Sequence, residues 1–526
     1  MRKQYLNQHT FLALGVSGLL ILTSLTGCST SAVTGSTASA GASVTTESGT
    51  SDSAITFTRS EMFTDRDQDA SYDTAGATTI RFSDAAITCE DDQVSISDST
   101  VTISSGGTYI LSGSSAQAQI IIDTPDDDKV QLVLSDLTLS CKTSAPIYVR
   151  NADKVFITLA DGSDNSLSTT GEFVQTDDNN IDAVIFSKED LTLNGTGSLT
   201  ITSAYGHGIV SKDDLVVTGG TYTMTCAKHG LSGKDSVRIL NGTFDLTTTK
   251  DGIHASNDDE TLGYIYIAGG DFTICSQDDG MHADSALYIE DGTINITESY
   301  EGLEGQTITI LDGTISIVSS DDGINASGGS SSTSDSEPQQ PDDNRDIDTP
   351  PEKRELPDGQ QSPDMTPPDG FSGNGGFDMD ADESCSLTIS GGDISIDAGG
   401  DGIDSNGYFY MTGGTVFVAG PESNGDSALD YGISASISGG TFLATGYSGM
   451  AQSFSDDSVQ CSYMIKLDTM IEADSSTLTL TGAEGVVLLS HTTNKSYNCV
   501  IVSCPELTSG ATYTLTTGSS SQEITP

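Results

Sequence analysis

Acidic and imidazole side chains recur in this sequence in a fixed frame. A Gly-Ile, Gly-Leu or Gly-Met pair follows each of His207, His229, Asp251, Asp279, Glu301, Asp322 and Asp401, in steps of 22, 22, 28, 22, 21 and 79 residues. Three positions beyond each anchor stand Val210, Ser232, His254, His282, Glu304, Asn325 and Asp404. Stacking of such repeats turns each position into a column. Carboxylates about 5 Å apart on adjacent rungs would repel by ~1 kcal/mol in water, and by several times that at the effective dielectric of a protein. Protonation, a lysine or a hard cation must offset the repulsion. Calcium, which takes about six to eight oxygens from carboxylates and carbonyls, fits best. The densest group of candidate ligands is Asp279, Glu301, Glu304, Asp321, Asp322 and Asn325. Asp401 with Asp404 forms a second group, and Asp251 is a further ligand candidate.

Other chemistry competes for the same residues. Asp-Gly pairs make turns in which the carboxylate caps backbone groups, although turns do not require acid again three residues later. His254 and His282 on neighbouring rungs suit zinc with a carboxylate, or a stacked hydrogen-bonded pair. His207, His229, His254, His282, Tyr205 and Tyr300 are the candidate saccharide contacts, since tyrosine stacks on sugars in a chain with no Trp. A calcium-assisted lyase would need a lysine base, for which Lys212, Lys234 and Lys250 are candidates. Pectin hydrolysis is disfavoured, because Arg238-Ile239 is followed by Leu240 instead of Lys. GGDGID at Gly399 matches one calcium nonapeptide unit, without the nine-residue period.

The elements that hold these columns follow from the period. Gly220-Thr221, Gly242-Thr243, Gly270-Asp271, Gly292-Thr293, Gly313-Thr314, Gly392-Asp393, Gly414-Thr415 and Gly440-Thr441 run in phase with the anchors, each before an alternating apolar–polar run. A unit of about 22 residues holding two or three short strands cannot bury its own apolar side and must stack on its copies. The expected fold is all-β, a right-handed parallel β-helix. A propeller blade needs about twice that length. Residues 94–202 share the texture and are expected to form earlier rungs. The helix is expected over residues 55–454, with a disordered acidic Pro/Gly/Ser insertion at 328–384 and a small antiparallel β cap at 455–526.

The whole chain has 526 residues, with 76 Asp and Glu against 20 Lys and Arg, a net charge of -56. That field excludes nucleic acid as a partner. Residues 1–27 read as a signal peptide, with Arg2 and Lys3 before an apolar run from Phe11 to Leu22. Leu25-Thr26-Gly27-Cys28 resembles a bacterial lipobox, so Cys28 is the expected lipidation site, and residues 28–54 form a Ser/Thr/Gly/Ala tether. Lipid alone would anchor the chain to the outer face of the bacterial cytoplasmic membrane. The eight further cysteines contain no C-x-x-C pair, and no disulfide framework is expected.

These residues together resemble a family of calcium-binding, carbohydrate-binding parallel β-helix lipoproteins of bacterial cell surfaces, related in shape to polysaccharide lyases. The likeness rests on GTYILSG at Gly107, APIYVRNADKVFITLADGSDN from Ala145, IDAVIFSKEDLTLNGTGSLTI from Ile181, GHGIVSKDDLVVTGGTYTM from Gly206, the DGI repeats and VIVSCPELTSGATYTL from Val500. It spans most of residues 80–520. The resemblance implies calcium held by acids of the repeat bends. It also implies binding of cellulose-like and acidic plant polysaccharides, with no firmly implied catalysis. The expectation is a monomer that binds polysaccharide with calcium as cofactor. A lyase and a non-binding adhesin or stalk are the alternatives.

Overall fold

The computed structural model describes residues 57–91, 94–328, 381–473, 477–518 and 520–526. The expected signal peptide, Cys28, the tether and residues 329–380 of the expected insertion lie outside them. The chain divides into Met1–Ala54 and Ile55–Pro526, and the description concerns the second unit. Residues 381–384, expected in the insertion, instead belong to a rung, where the Asp382 amide donates to the Asn406 carbonyl at 2.9 Å.

The backbone is about 2% helical and winds through about 12 turns of a parallel β-solenoid. One turn illustrates the rest. Leu231–Gly233, Ser236–Ile239 and Thr243–Thr248 lie on a first, second and third face. They pair in parallel with the next turn at Leu231↔Ile253, Val237↔Ile265 and Phe244↔Phe272. Rungs average about 24 residues, longer than the expected 22. The 28-residue step arises because residues 256–263 loop out between Ile253–Ala255 on the first face and Tyr264–Ile267 on the second. The longest insertion leaves from the same bend, between Ile324–Ala326 and Ser386–Ile389.

Alternation places every second side chain of the third face inside. Tyr222, Phe244 and Phe272 stack there with ring centroids 5.2 and 4.7 Å apart. Ile209, Leu231, Ile253, Met281, Leu303, Ile324 and Ile403 form the first-face ladder, fully buried. Each such side chain contributes roughly 1.5–3 kcal/mol on burial, which is what a single rung cannot obtain alone. Two glycine columns serve different needs. A Cβ on Gly302 would stand 2.3 Å from the Gly323 carbonyl oxygen, so that column is glycine because rungs approach too closely. Gly292, between the second and third faces, has φ of 136° and makes the bend itself.

The N-terminal strap is the element that periodicity did not reveal. Arg59–Met62 and Asp65–Gln68, each one helical turn, cross the outside of the second face. Phe57 packs on Tyr264, Tyr266 and Tyr288, at 5.2, 5.5 and 4.9 Å between ring centroids. Asp67 is buried and takes hydrogen bonds from Lys154 Nζ at 2.9 Å and Thr192 Oγ1 at 2.7 Å. Burial raises its pKa, yet Lys154, Thr192 and Thr64 outweigh that and hold it down to about 2. The opposite end carries the expected cap. Tyr497–Ser503 pairs antiparallel with Thr441–Gly446 and Ser462–Ile471, and a separate four-stranded antiparallel sheet follows. The eight described cysteines are free thiols.

Candidate functional site

The repeat bends stack as the spacing requires. Ser232, His254, His282, Glu304, Asn325 and Asp404 are consecutive register partners on the first face. The anchor residues line the bend that enters this face, and the side chains of all but Glu301 cap the next rung. The amide of His229 donates to His207 Nδ1 at 3.2 Å, and that of Asp251 to His229 Nδ1 at 3.1 Å. Asp279 and Glu301 donate their amides to Asp251 Oδ1 and Asp279 Oδ1 at 3.1 and 3.0 Å. Asp401 does the same to Asp322 Oδ1 at 2.7 Å, and Ser427 to Asp401 Oδ1. The turn-capping role of these acids is therefore real, and it occupies one oxygen of each capping carboxylate.

The four column histidines form one continuous stack, although two come from the anchor position and two from the position three residues on. Ring centroids are 4.9 Å apart for His207–His229, 4.2 Å for His229–His254 and 5.2 Å for His254–His282. A ring nitrogen that accepts an amide proton carries none, so His207 is neutral and protonated on Nε2, whereas His229 Nδ1 lies 3.1 Å from the Asp251 amide and 3.2 Å from Asp251 Oδ2. Burial, the largest cause, lowers the pKa of His207 and brings that of His229 to about 4. His207 Nε2 lies 3.2 Å from Asp182 Oδ2, which leaves neither ring nitrogen of His207 open to a saccharide. His254 Nδ1 lies 2.7 Å from Asp251 Oδ2. His282 differs, because Asp279, Asp284 and Glu304 all pair with its ring. Burial opposes its charge, but those hydrogen bonds prevail and push its pKa up, so it is an imidazolium.

Beyond His282 the column turns wholly acidic. Four groups each bring three ligand atoms within 4.8 Å: His229–Asp251–His254, Asp251–Asp279–His282, Asp279–Glu301–Glu304 and Asp322–Asp401–Asp404. The last two offer oxygen alone. Burial first, then the neighbouring carboxylates, pushes Glu301 up to about 9 and Asp279 to about 7. Burial likewise pushes Asp401 to about 8, Asp322 to about 7 and Asp404 to about 6. Glu304 moves the other way, since its bond to His282 outweighs burial. Asn325 is 8% exposed and donates Nδ2 to Glu301 Oε2 at 3.0 Å, while its Oδ1 is buried with no hydrogen-bond partner. An orphaned carbonyl oxygen beside carboxylates that resist ionisation fits a hard cation, which takes oxygen donors and replaces the protons.

The geometry regroups the sequence candidates. Asp322 leaves the expected six-residue cluster and joins Asp401 and Asp404. Asp321, the residue before Asp322 at the same bend, hydrogen-bonds the Tyr300 hydroxyl and pushes that phenol up to about 12. Asp251 sits between histidines. Tyr205 and Tyr300 are half-exposed beside the bend, whereas His207 and His229 are largely buried. The three lysines do not converge. Lys212 and Lys234 follow the ends of the first-face strands His207–Ser211 and Leu231–Gly233. Lys250 precedes Ile253–Ala255 at the other end and pairs with Asp278 at 2.8 Å. Asp182 and Asp284 were missed. Asp182 belongs to an Ile-Asp-Ala-Val run without the marker glycine, and Asp284 lies outside both columns.

Residues 97–335 match the model of a family described as carbohydrate-binding domain-containing protein. A protein of that description from Acetivibrio thermocellus is 38% identical over 135 residues, which cover 25% of this chain and 47% of that protein. The chain thus spans about half the length of this relative. A solved structure described as the polysaccharide lyase-like protein from C. thermocellum, a gadolinium derivative, is 34% identical. It covers 41% of this chain and 89% of its own, with a TM-score of 0.40.

Proposed function

We propose, from the match of residues 97–335 to the carbohydrate-binding-domain family model, that this chain is a calcium-dependent polysaccharide-binding protein of the bacterial cell surface. The observation that carries the calcium is the buried, unpartnered Oδ1 of Asn325, whose Nδ2 donates to Glu301 of the Asp279–Glu301–Glu304 group. These residues hold one ion, and Asp322, Asp401 and Asp404 a second. The ion supplies positive charge where the chain is acidic, so that an acidic glycan is drawn to a protein of charge -56 that otherwise repels it. The half-exposed Tyr205 and Tyr300 offer stacking faces beside the same bend. The chain keeps its position at the surface by lipid on Cys28 and acts as a monomer.

Calorimetric titration of Ile55–Pro526 with polygalacturonate and with a neutral glucan, each with calcium and after chelation, tests this reading. Calcium-dependent heat with polygalacturonate, without absorbance from an unsaturated product, is expected. Rising absorbance would make the protein a lyase instead. No heat with any glycan would leave a stalk or adhesin.

A further inference from the structure

A second feature runs along the opposite edge of the third face from the acidic column. Between the second and third faces the bends at Gly270, Gly292 and Gly313 have positive φ and carry no side chain, and they floor an open groove of about 360 Å³ that begins beside Asn241. Asp291 and Asp312 stand on one side, with Oδ1 of each taking the amide of the following glycine at 2.7 and 2.9 Å. Asp271, Thr293, Thr314 and Asp393 stand on the other. The groove spans five rungs, roughly 19 Å at the ~4.8 Å spacing of paired strands.

The third face continues the groove as two columns of polar side chains, most of them hydroxyls. Ser198, Thr221, Thr243, Asp271, Thr293 and Thr314 are consecutive register partners. Two residues on, Thr200, Thr223, Asp245, Thr273, Asn295 and Ser316 repeat the arrangement. Most of these side chains are exposed, and the strap covers the second face instead. Threonine is stiff at χ1, so the donors and acceptors are fixed before any ligand arrives.

We propose that this groove and the hydroxyl columns beside it bind a single extended, uncharged polysaccharide chain lying parallel to the solenoid axis. Sugar hydroxyls donate to the aspartates in charge-assisted hydrogen bonds, and threonines meet the remaining hydroxyls. A polyuronate is excluded there, because four carboxylates face it. This rests on the polysaccharide-binding reading above and refines it, assigning neutral glycans to the groove and acidic ones to the cation-bearing column.

The test is titration of Ile55–Pro526, its Asp291→Ala/Asp312→Ala variant and its Glu301→Gln variant. The ligands are a soluble neutral β-glucan and polygalacturonate, each with calcium and with chelator. Circular dichroism and melting temperature verify the fold of each variant. The groove variant is expected to lose at least ~10-fold in neutral-glucan affinity, the size of losing charge-assisted hydrogen bonds. Its calcium-dependent polygalacturonate binding should be unchanged, and Glu301→Gln should show the reverse. Unchanged glucan binding by the folded groove variant, or glucan binding abolished by chelator, overturns the assignment. Wild-type binding of polygalacturonate without any glucan binding overturns it while leaving the calcium reading standing. Loss of both overturns the two together.

Discussion

Calcium loading should release protons, and the number follows from the site. At pH 7 a carboxyl with a pKa of about 9, that of Glu301, is protonated, and one of about 7, that of Asp279, is half protonated. Glu304, held down by His282, contributes almost nothing. An ion taking Asp279, Glu301 and Glu304 must therefore displace about one and a half protons. At the second site Asp401 gives most of one proton, Asp322 about half and Asp404 about a tenth, again roughly one and a half. Calorimetry of calcium binding in buffers of different ionisation enthalpy counts these protons directly. Release should fall toward zero by pH 10. Glu301→Gln should remove about one proton at pH 7 and weaken the first site, leaving the second as it was. Tight binding with no proton release at pH 7 would mean that the carboxyls are already ionised in the metal-free protein. The account of burial and mutual repulsion would then be wrong.

In chelator the same carboxyls make stability fall with rising pH. A pKa raised on folding keeps the proton in the folded state where the unfolded chain has lost it. The loss therefore runs from about 4 up to about 8 for Asp401 and about 9 for Glu301, at no more than ~1.4 kcal/mol per group per pH unit, and melting curves at pH 6 and 8 read it. Gly302→Ala places a methyl 2.3 Å from the Gly323 carbonyl oxygen, so it should cost about 3 kcal/mol or more, read in denaturant unfolding. Asp67→Ala leaves Lys154 with only the more distant Asp190 at 3.9 Å and should cost about 3 kcal/mol, with faster proteolysis in residues 57–75 than elsewhere.

How much of this was legible in the sequence depends on whether the information was periodic. The anchor column and its partner three residues on could be read from spacing alone, and the register of His254, His282, Glu304, Asn325 and Asp404 matches it. The merging of two columns into one histidine stack could not, because it depends on how a bend turns an anchor side chain toward its neighbour. The division of the acids into two oxygen groups was hidden for the same reason, since Asp322 lies one step from both Glu301 and Asp401 in the frame. The strap escaped because its contacts are unique. Asp67 meets Lys154 and Thr192 across most of the chain's first two hundred residues, and no repeat announces it.

The two interruptions within the anchor series leave from the bend between the first and second faces, after Ile253–Ala255 and after Ile324–Ala326, yet the rungs resume in register. Each rung contacts only its neighbours, so extra chain at that bend disturbs neither the column nor the groove. That edge is an insertion port. A foreign loop placed between Ile403–Ser405 and Tyr408–Met411 would occupy the equivalent bend one turn later, leaving both ligand-bearing edges intact. The solenoid is in this sense a ruler with a writable edge, and new recognition segments can be added there without rephasing the rest.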